Sequence, residues 1–210
     1  SLPIFLVESF FFLLTNADVL MVGAYLEPND VAIYFATVKT LALVHFVYFS
    51  VKAGVAQRYA QFTHGEPDKL AAFARETVSW TFWPSLLMAL LVLALGKPML
   101  TLFGPEFSTG YPLLFLLVFG VVARAAVGPC ESLLTMSGNQ NVCAGVYAMT
   151  LTLNIGLNVL MIPLFGLWGA AIATAFAMIF EATALSFTVW RRLGIVMAIF
   201  VPATLSKRGT

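Results

Sequence analysis

The stretch Phe115–Met136, "FLLVFGVVARAAVGPCESLLTM", decides the class of fold. It is 22 residues long, and only two of its side chains, Arg124 and Glu131, are charged. A helix needs about 20 mostly apolar residues to cross the hydrocarbon core of a bilayer. The stretch therefore predicts a transmembrane helix that carries two full charges into the membrane.

The composition of the whole chain indicates the same environment. Sixty per cent of the 210 residues are hydrophobic and 10% are charged, with a mean hydropathy of +0.93. Soluble domains are about half apolar and about a quarter charged. The net charge of +1 and the lack of a basic run give no indication of nucleic-acid binding. The sequence predicts an all-α integral membrane protein.

Six segments are long and apolar enough to span a bilayer. Residues 1–195 are predicted to form one six-helix transmembrane bundle, and residues 196–210 a cytoplasmic or interfacial tail. Because residue 1 is Ser and leads directly into an apolar segment without a signal-peptide pattern, we expect an N-terminal part of the protein to precede it. The predicted spans are 2–26, 30–62, 68–96, 110–137, 142–163 and 167–190.

Positive charges predict the orientation, since loops rich in Lys and Arg stay cytoplasmic. With six spans, both termini share one side, and the opposite side holds Lys97 alone. The termini are therefore predicted to be cytoplasmic. The eight cations on the cytoplasmic side are Lys52, Arg58, Lys69, Arg75, Arg191, Arg192, Lys207 and Arg208.

Ionisable side chains within the predicted spans are the candidate functional residues. Each costs about 2.5–3.5 kcal/mol to insert, so such groups usually face a bundle interior or a wet cavity. They either line a cavity or neutralise one another between helices, and the pattern alone leaves both readings open. Asn154 and Asn158 add a polar face to the fifth span. The candidates are Asp18, Lys39, His45, Lys52, Arg124, Glu131 and Glu181.

Arg124 and Glu131 share one face of a helix, but seven residues place them about 10 Å apart along its axis. We therefore expect each to meet a partner on another helix, a water or a ligand. Gly128–Pro129 between them predicts a kink, because proline interrupts helical hydrogen bonding. Gly169, Ala173 and Ala177 form a small-residue seam that favours close helix packing.

Several sites of chemistry are missing from the sequence. No phosphate-binding loop, zinc-protease motif, Cys/His cluster or nucleophile elbow occurs. Cys130 and Cys143 lie in apolar stretches and indicate packing residues rather than a disulfide. The sequence therefore predicts no catalytic residue, no metal or cofactor, and no enzymatic activity.

Four segments together carry a family resemblance. They are "TNADVLMVGAYLEPNDVAIYFAT" (15–37), "MLTLFGPEFSTGYPLL" (99–114), "GPCESLLTMSGNQN" (128–141) and "FGLWGAAIATA" (165–175). In this order they resemble the C-terminal half of bacterial polysaccharide (O-antigen and exopolysaccharide) flippases, within the superfamily that includes the MATE multidrug exporters and the lipid II flippase. The resemblance covers about residues 5–195.

The resemblance implies the second bundle of a V-shaped, two-bundle transporter in the bacterial inner membrane. A missing N-terminal six-helix bundle would complete the central cavity. The implied substrate is an oligosaccharide linked to polyprenyl diphosphate, flipped from the cytoplasmic to the periplasmic leaflet by alternating access during lipopolysaccharide or exopolysaccharide biosynthesis.

Under that hypothesis the polar residues divide into two groups. Substrate contacts are assigned to Arg124, Lys39, Lys52, Asn154 and Asn158, since cations hold a diphosphate. Coupling to H⁺ or Na⁺ is assigned to Glu131, Glu181 and Asp18.

Other functions remain open at this point. An exporter of cationic drugs would have a cavity dominated by acids, with Arg124 paired off. A membrane-embedded glycan enzyme would need a large polar loop, and the longest predicted loop is short. A non-transporting scaffold bundle is the remaining alternative.

Overall fold

The computed structural model describes residues 2–63 and 67–199, and within these ranges the chain contains helices and turns but no strand. It begins with a helix α1 that leads through a short turn into α2 and α3. A 3₁₀ helix, Pro105–Gly110, connects α4 to α5. The α-helices are α1 (Leu2–Tyr25), α2 (Pro28–Thr40), α3 (Ala42–Thr63), α4 (Pro67–Thr101), α5 (Tyr111–Ala125), α6 (Cys130–Met136), α7 (Gln140–Phe165) and α8 (Leu167–Leu193).

The helices confirm the predicted class. Five segments are long and apolar enough to cross a membrane, and α2 with α3 makes a sixth if the bent pair is one span. Residues 105–136, which include Phe115–Met136, form one of these segments. The described chain is an all-α membrane bundle.

The second predicted span, 30–62, is wrong as a continuous helix, because it breaks at Leu41 with a bend of 41° between α2 and α3. Two threonines precede the break and bond back to their own helix. Thr37 Oγ1 donates to the carbonyl of Ile33, and Thr40 Oγ1 donates to the carbonyl of Ala36, each at 2.8 Å. Such bonds compete for helical carbonyls and bend helices.

The fourth predicted span, 110–137, is also interrupted, at residues 126–129 between α5 and α6. Gly128 has a φ of +66°, and Pro129 follows it. A Cβ at position 128 would lie 3.0 Å from the Cα of Val78 on α4, so only glycine fits both the backbone angle and the space. The predicted kink at Gly128–Pro129 is confirmed.

Small residues of α8 are buried in the bundle. Gly169, Ala173 and Ala177 are all buried on α8, and Gly169 faces the backbone of Met161 on α7. The predicted close packing of helices is confirmed at Gly169, where the approach of α7 leaves no room for a side chain.

The chain turns back onto the bundle after α8. Gly194 closes the helix with a left-handed φ of +68°, and Ile195 and Met197 are buried against α6 and α8. The remainder of the predicted tail, residues 200–210, lies outside the described residues. So does the loop at 64–66, which contains His64.

Candidate functional site

A cavity of about 630 Å³ lies among α1, the α2–α3 break, α5, α7 and α8. One part of its wall is polar and another is aromatic. The aromatic part consists of Phe11, Phe12, Phe46 and Phe49. The polar part consists of Glu8, Thr15, Asn16, Asp18, Lys39, His45, Arg124, Asn154, Thr174 and Glu181.

The structure brings five of the eight predicted site residues to this cavity: Asp18, Lys39, Arg124, Asn154 and Glu181. Lys52 and Glu131 instead line a second cavity of about 340 Å³, between α1, α3 and α6. Asn158 lines neither cavity. Asn158 follows Asn154 by one helical turn on α7. Its Nδ2 donates to the carbonyl and to Oδ1 of Asn154, at 2.9 and 3.1 Å, so it holds the Asn154 side chain in place.

Arg124 lies in the cavity wall at the C-terminal end of α5 and is only 4% exposed. Its Nη2 is 3.1 Å from Oε1 of Glu181 on α8. The same nitrogen is 3.6 Å from Oε2 of Glu131 and donates to the hydroxyl of Tyr147 at 3.4 Å. The guanidinium charge is therefore neutralised by two acids from neighbouring helices.

Two aromatic rings enclose the same guanidinium. Its central carbon lies 4.8 Å from the ring centre of Phe11 on α1 and 4.6 Å from that of Tyr48 on α3. Cations over aromatic faces are stabilised by the ring quadrupole, more so when water is excluded. Arg124 on α5 thus contacts side chains of five other helices, α1, α3, α6, α7 and α8, and the shielding rings leave little of its charge for a ligand.

The close approach of Arg124 and Glu131 corrects the sequence analysis. The spacing of seven residues predicted that the two would lie too far apart to pair, but they are 3.6 Å apart. The helix is interrupted between them, so the rise of a straight helix does not apply. The expectation that each also meets partners on other helices is confirmed by Glu181 and Lys52.

The ion pairs extend from Glu131 to the other side of the bundle. Lys52 Nζ is 2.7 Å from Oε1 of Glu131 and 3.1 Å from Oε1 of Glu8. Five charged groups therefore form one chain across α1, α3, α6, α5 and α8. With three acids and two cations, its formal charge is −1 when all five are ionised.

Asp18 lies apart from this chain of charges. Its Oδ2 accepts hydrogen bonds from the hydroxyls of Tyr34 and Thr174, at 3.0 and 3.2 Å, and its Oδ1 accepts one from the amide of Val19 at 2.9 Å. No cation of the described residues lies within ion-pair distance of it. Asp18 is thus a buried acid in the cavity wall, held by neutral donors.

Like Asp18, Lys39 lies in the cavity wall without an oppositely charged partner among the described residues. It is exposed at the C-terminal end of α2, beside the break at Leu41, and its Nζ lies 5.1 Å from the ring centre of Phe35. Within the described ranges, no carboxylate lies within ion-pair distance of Nζ. Lys39 is the cation in the cavity wall that keeps its charge available to a ligand.

Sequence reasoning missed the aromatic partners of the charges. Phe11, Thr15 and Asp18 follow one another at helical spacing on one face of α1, and all three line the cavity. On α3, Tyr48 falls on the face shared by His45 and Lys52. A search for aromatic residues on the same face as each charge would have found both rings around Arg124.

Comparison with known proteins agrees with this architecture. Residues 3–160, three quarters of the chain, match the protein-family model MatE. No curated protein matches the chain. Members of that family are membrane transporters, which is consistent with the apolar helices and the polar cavity. The chain belongs to the MatE family of membrane exporters.

Proposed function

We propose that this exporter moves an oligosaccharide linked to polyprenyl diphosphate from the cytoplasmic to the periplasmic leaflet of a bacterial inner membrane. The observation that carries the proposal is Lys39, a cation without an acidic partner in the wall of an amphipathic cavity. An ammonium group on a flexible stem is a good point contact for a phosphate. In a membrane, an unpaired cation is costly unless it faces water or an anionic ligand.

The polar and the aromatic parts of the cavity wall match the glycan and the prenyl lipid of such a substrate. Amides and hydroxyls of Asn16, Asn154 and Thr15 can exchange hydrogen bonds with sugar hydroxyls. The rings of Phe46 and Phe49 offer apolar faces to the C–H faces of sugars or to prenyl groups. A glycolipid with an anionic linker therefore meets complementary chemistry in one cavity.

The size of the cavity limits what it holds. A volume of about 630 Å³ falls within the range of small-ligand sites, so it accommodates the diphosphate with a few sugars rather than a long glycan. We propose that a second six-helix bundle supplies the opposite wall, as in two-bundle carriers that alternate between two open states.

The ion coupling is assigned most simply to Asp18. Glu131 and Glu181 already face cations, whereas Asp18 has only neutral donors around it. Binding of H⁺ or Na⁺ there would change the charge of the cavity wall and so favour one of the open states. In this assignment Glu131 and Glu181 hold the bundle together, and their role in coupling is secondary.

A second candidate is the export of amphipathic cations, and the pairing of Arg124 favours it. With Arg124 neutralised, Asp18 is the acid of the cavity wall that has no cationic partner among the described residues, as Lys39 is the cation that has no acidic one. Such an exporter would use Asp18 and the aromatic wall to hold its substrate, because cations bind well over aromatic faces.

Transport by the full-length protein in liposomes separates the two candidates. A fluorescent polyprenyl-diphosphate oligosaccharide and a cationic dye are supplied in parallel to wild type, Lys39→Ala, Lys39→Arg and Lys97→Ala. Lys97 is an exposed lysine that lines neither of the two cavities, so it controls for loss of charge.

We expect Lys39→Ala to slow glycolipid movement about tenfold, since a hydrogen bond to a charged group contributes about 1.5–3 kcal/mol. Lys39→Arg should keep most of the rate, and Lys97→Ala all of it. Wild-type movement of the glycolipid by Lys39→Ala would contradict the proposal. Movement of the dye but not of the glycolipid by the wild type would establish the second candidate instead.

A further inference from the structure

The segment Gly194–Ile199, here called the brace, lies against the interruption between α5 and α6. Among the described residues, 2–63 and 67–199, the one bond outside the helices that joins the backbones of distant parts of the chain is made here: the amide of Ile199 donates to the carbonyl of Ala126 at 3.0 Å. Ala126 is the first residue of the interruption. An interrupted helix leaves carbonyls without partners, and inside a membrane each must be satisfied by a neighbour.

The brace is also fixed to α8. Ser186 Oγ donates to the carbonyl of Met197 at 2.8 Å. Met197 itself is fully buried, and its sulfur lies 3.7 Å from Sγ of Cys130, the first residue of α6. The brace therefore contacts both ends of the interruption, Ala126 on the α5 side and Cys130 on the α6 side.

The interruption carries the chain of charges. Arg124 lies two residues before the carbonyl that the brace binds, and Glu131 lies one residue after the sulfur contact. Their separation of 3.6 Å depends on the angle between α5 and α6, since an uninterrupted helix would hold them about 10 Å apart. Whatever fixes that angle also fixes the pairing of Arg124 with Glu131.

The position of α6 further sets the shape of the second cavity. Four residues of α6, Glu131, Ser132, Thr135 and Met136, line it opposite Lys52 and Ala56 of α3. A shift of this seven-residue helix would open or close that cavity and separate Glu131 from Lys52.

We propose that the brace is a positioning element that holds α6 in the conformation seen here, with Arg124 and Glu131 paired and Glu131 beside Lys52 in the wall of the second cavity. Release of the bond between Ile199 and Ala126 lets α6 move away from α3, so the brace sets the balance between two arrangements of the charged interior. This inference concerns the bundle itself and does not depend on which substrate is exported.

Proline at position 199 removes the donating amide, whereas alanine at the same position keeps it, so the pair isolates the hydrogen bond. A reporter cysteine replaces Ala56, a half-buried residue of the second cavity, in the full-length protein in membrane vesicles. The native cysteines, Cys130 and Cys143, are buried and give a low background. The measured quantity is the rate at which Ala56→Cys reacts with a small maleimide.

We expect Ile199→Pro to raise the labelling rate about fivefold, the equilibrium effect of one lost hydrogen bond. Ile199→Ala should label at the rate of the reporter alone. Ser186→Ala, which releases the brace from α8, should raise the rate as well and provides a second route if the proline variant does not fold.

Two results would overturn the proposal. One is equal labelling of Ile199→Pro, Ser186→Ala and Ile199→Ala in protein that retains its melting temperature. The other is failure of both brace variants to fold while Ile199→Ala folds normally, since the brace would then be a folding element without a positioning role.

Discussion

Replacing Glu181 with glutamine tests whether the buried chain of charges holds the bundle together. Glu181 is fully buried, and its Oε1 lies 3.1 Å from Nη2 of Arg124. The amide is almost isosteric with the carboxylate, so the change removes a charge without opening a cavity. Arg124 would keep only Glu131, at 3.6 Å, as an acidic partner.

The size of the effect follows from burial. Removing one partner of a buried ion pair costs about 3–5 kcal/mol, because the other charge remains buried. Since Glu131 still compensates Arg124 in part, we expect the low end, a loss of about 3 kcal/mol in the free energy of unfolding. In a double-mutant cycle with Arg124→Met, the coupling energy should be about 2 kcal/mol.

Glu8→Gln is the matched control. The Glu8–Lys52 pair has the same separation, 3.1 Å, but the Glu8 side chain is 56% exposed. An exposed pair contributes about 1 kcal/mol or less, since solvent screens it. The assay is reversible unfolding of the purified protein in lipid bicelles, followed by steric trapping. Equal losses for Glu181→Gln and Glu8→Gln would refute the reasoning, because burial would then not determine the contribution of the pair.

Three further substitutions test other parts of the structure. Gly128→Ala should lower the free energy of unfolding by about 2 kcal/mol, because a side chain strains the left-handed backbone and meets Val78. Gly138 has a similar φ but open space around it, so Gly138→Ala should cost about half as much in the same unfolding assay. Gly169→Ala should force α8 away from Met161 and lower the melting temperature by several degrees, while Gly156→Ala, which faces open space, should leave it within about one degree. Tyr34→Phe removes the hydroxyl that donates to Asp18 at 3.0 Å. If Asp18 carries the coupling ion, the ion concentration that gives half-maximal transport should change several-fold. The melting temperature should change little.

The membrane class could be predicted from the sequence because it depends on length and hydropathy alone. The 22 residues of Phe115–Met136 are long and apolar enough to cross a bilayer, and residues 105–136 form a candidate span. The kink at Gly128–Pro129 could be predicted too, since proline and glycine act on their own backbone. The small-residue seam on α8 was equally local, because its spacing of four defines one face.

The break at Leu41 was not predicted, although threonines at 37 and 40 stand just before it. Each hydroxyl bonds to its own helix, and such bonds are also common in straight helices. The sequence therefore contains the cause of the bend without showing that it acts. The bend places Lys39 beside the cavity.

The partners of the buried charges could not be read from spacing. Lys39 and Arg124 look alike in sequence, each a cation in an apolar segment, but Glu181 reaches only Arg124. Asp18 bonds to Tyr34, 16 residues away, and to Thr174, 156 residues away. Such contacts depend on how the helices pack, so candidate site residues could be predicted from the sequence, but charges that hold helices together could not be separated from charges available to a ligand.

We propose that the cavity among α1, the α2–α3 break, α5, α7 and α8 holds the exported substrate. Protection of a cysteine from maleimide in the full-length protein tests this proposal. Phe46→Cys places the thiol in the cavity wall, and Lys97→Cys places it at an exposed position that lines neither cavity. With saturating polyprenyl-diphosphate oligosaccharide, we expect labelling several-fold slower at position 46 and unchanged labelling at position 97. Equal rates at position 46 with and without substrate would contradict it.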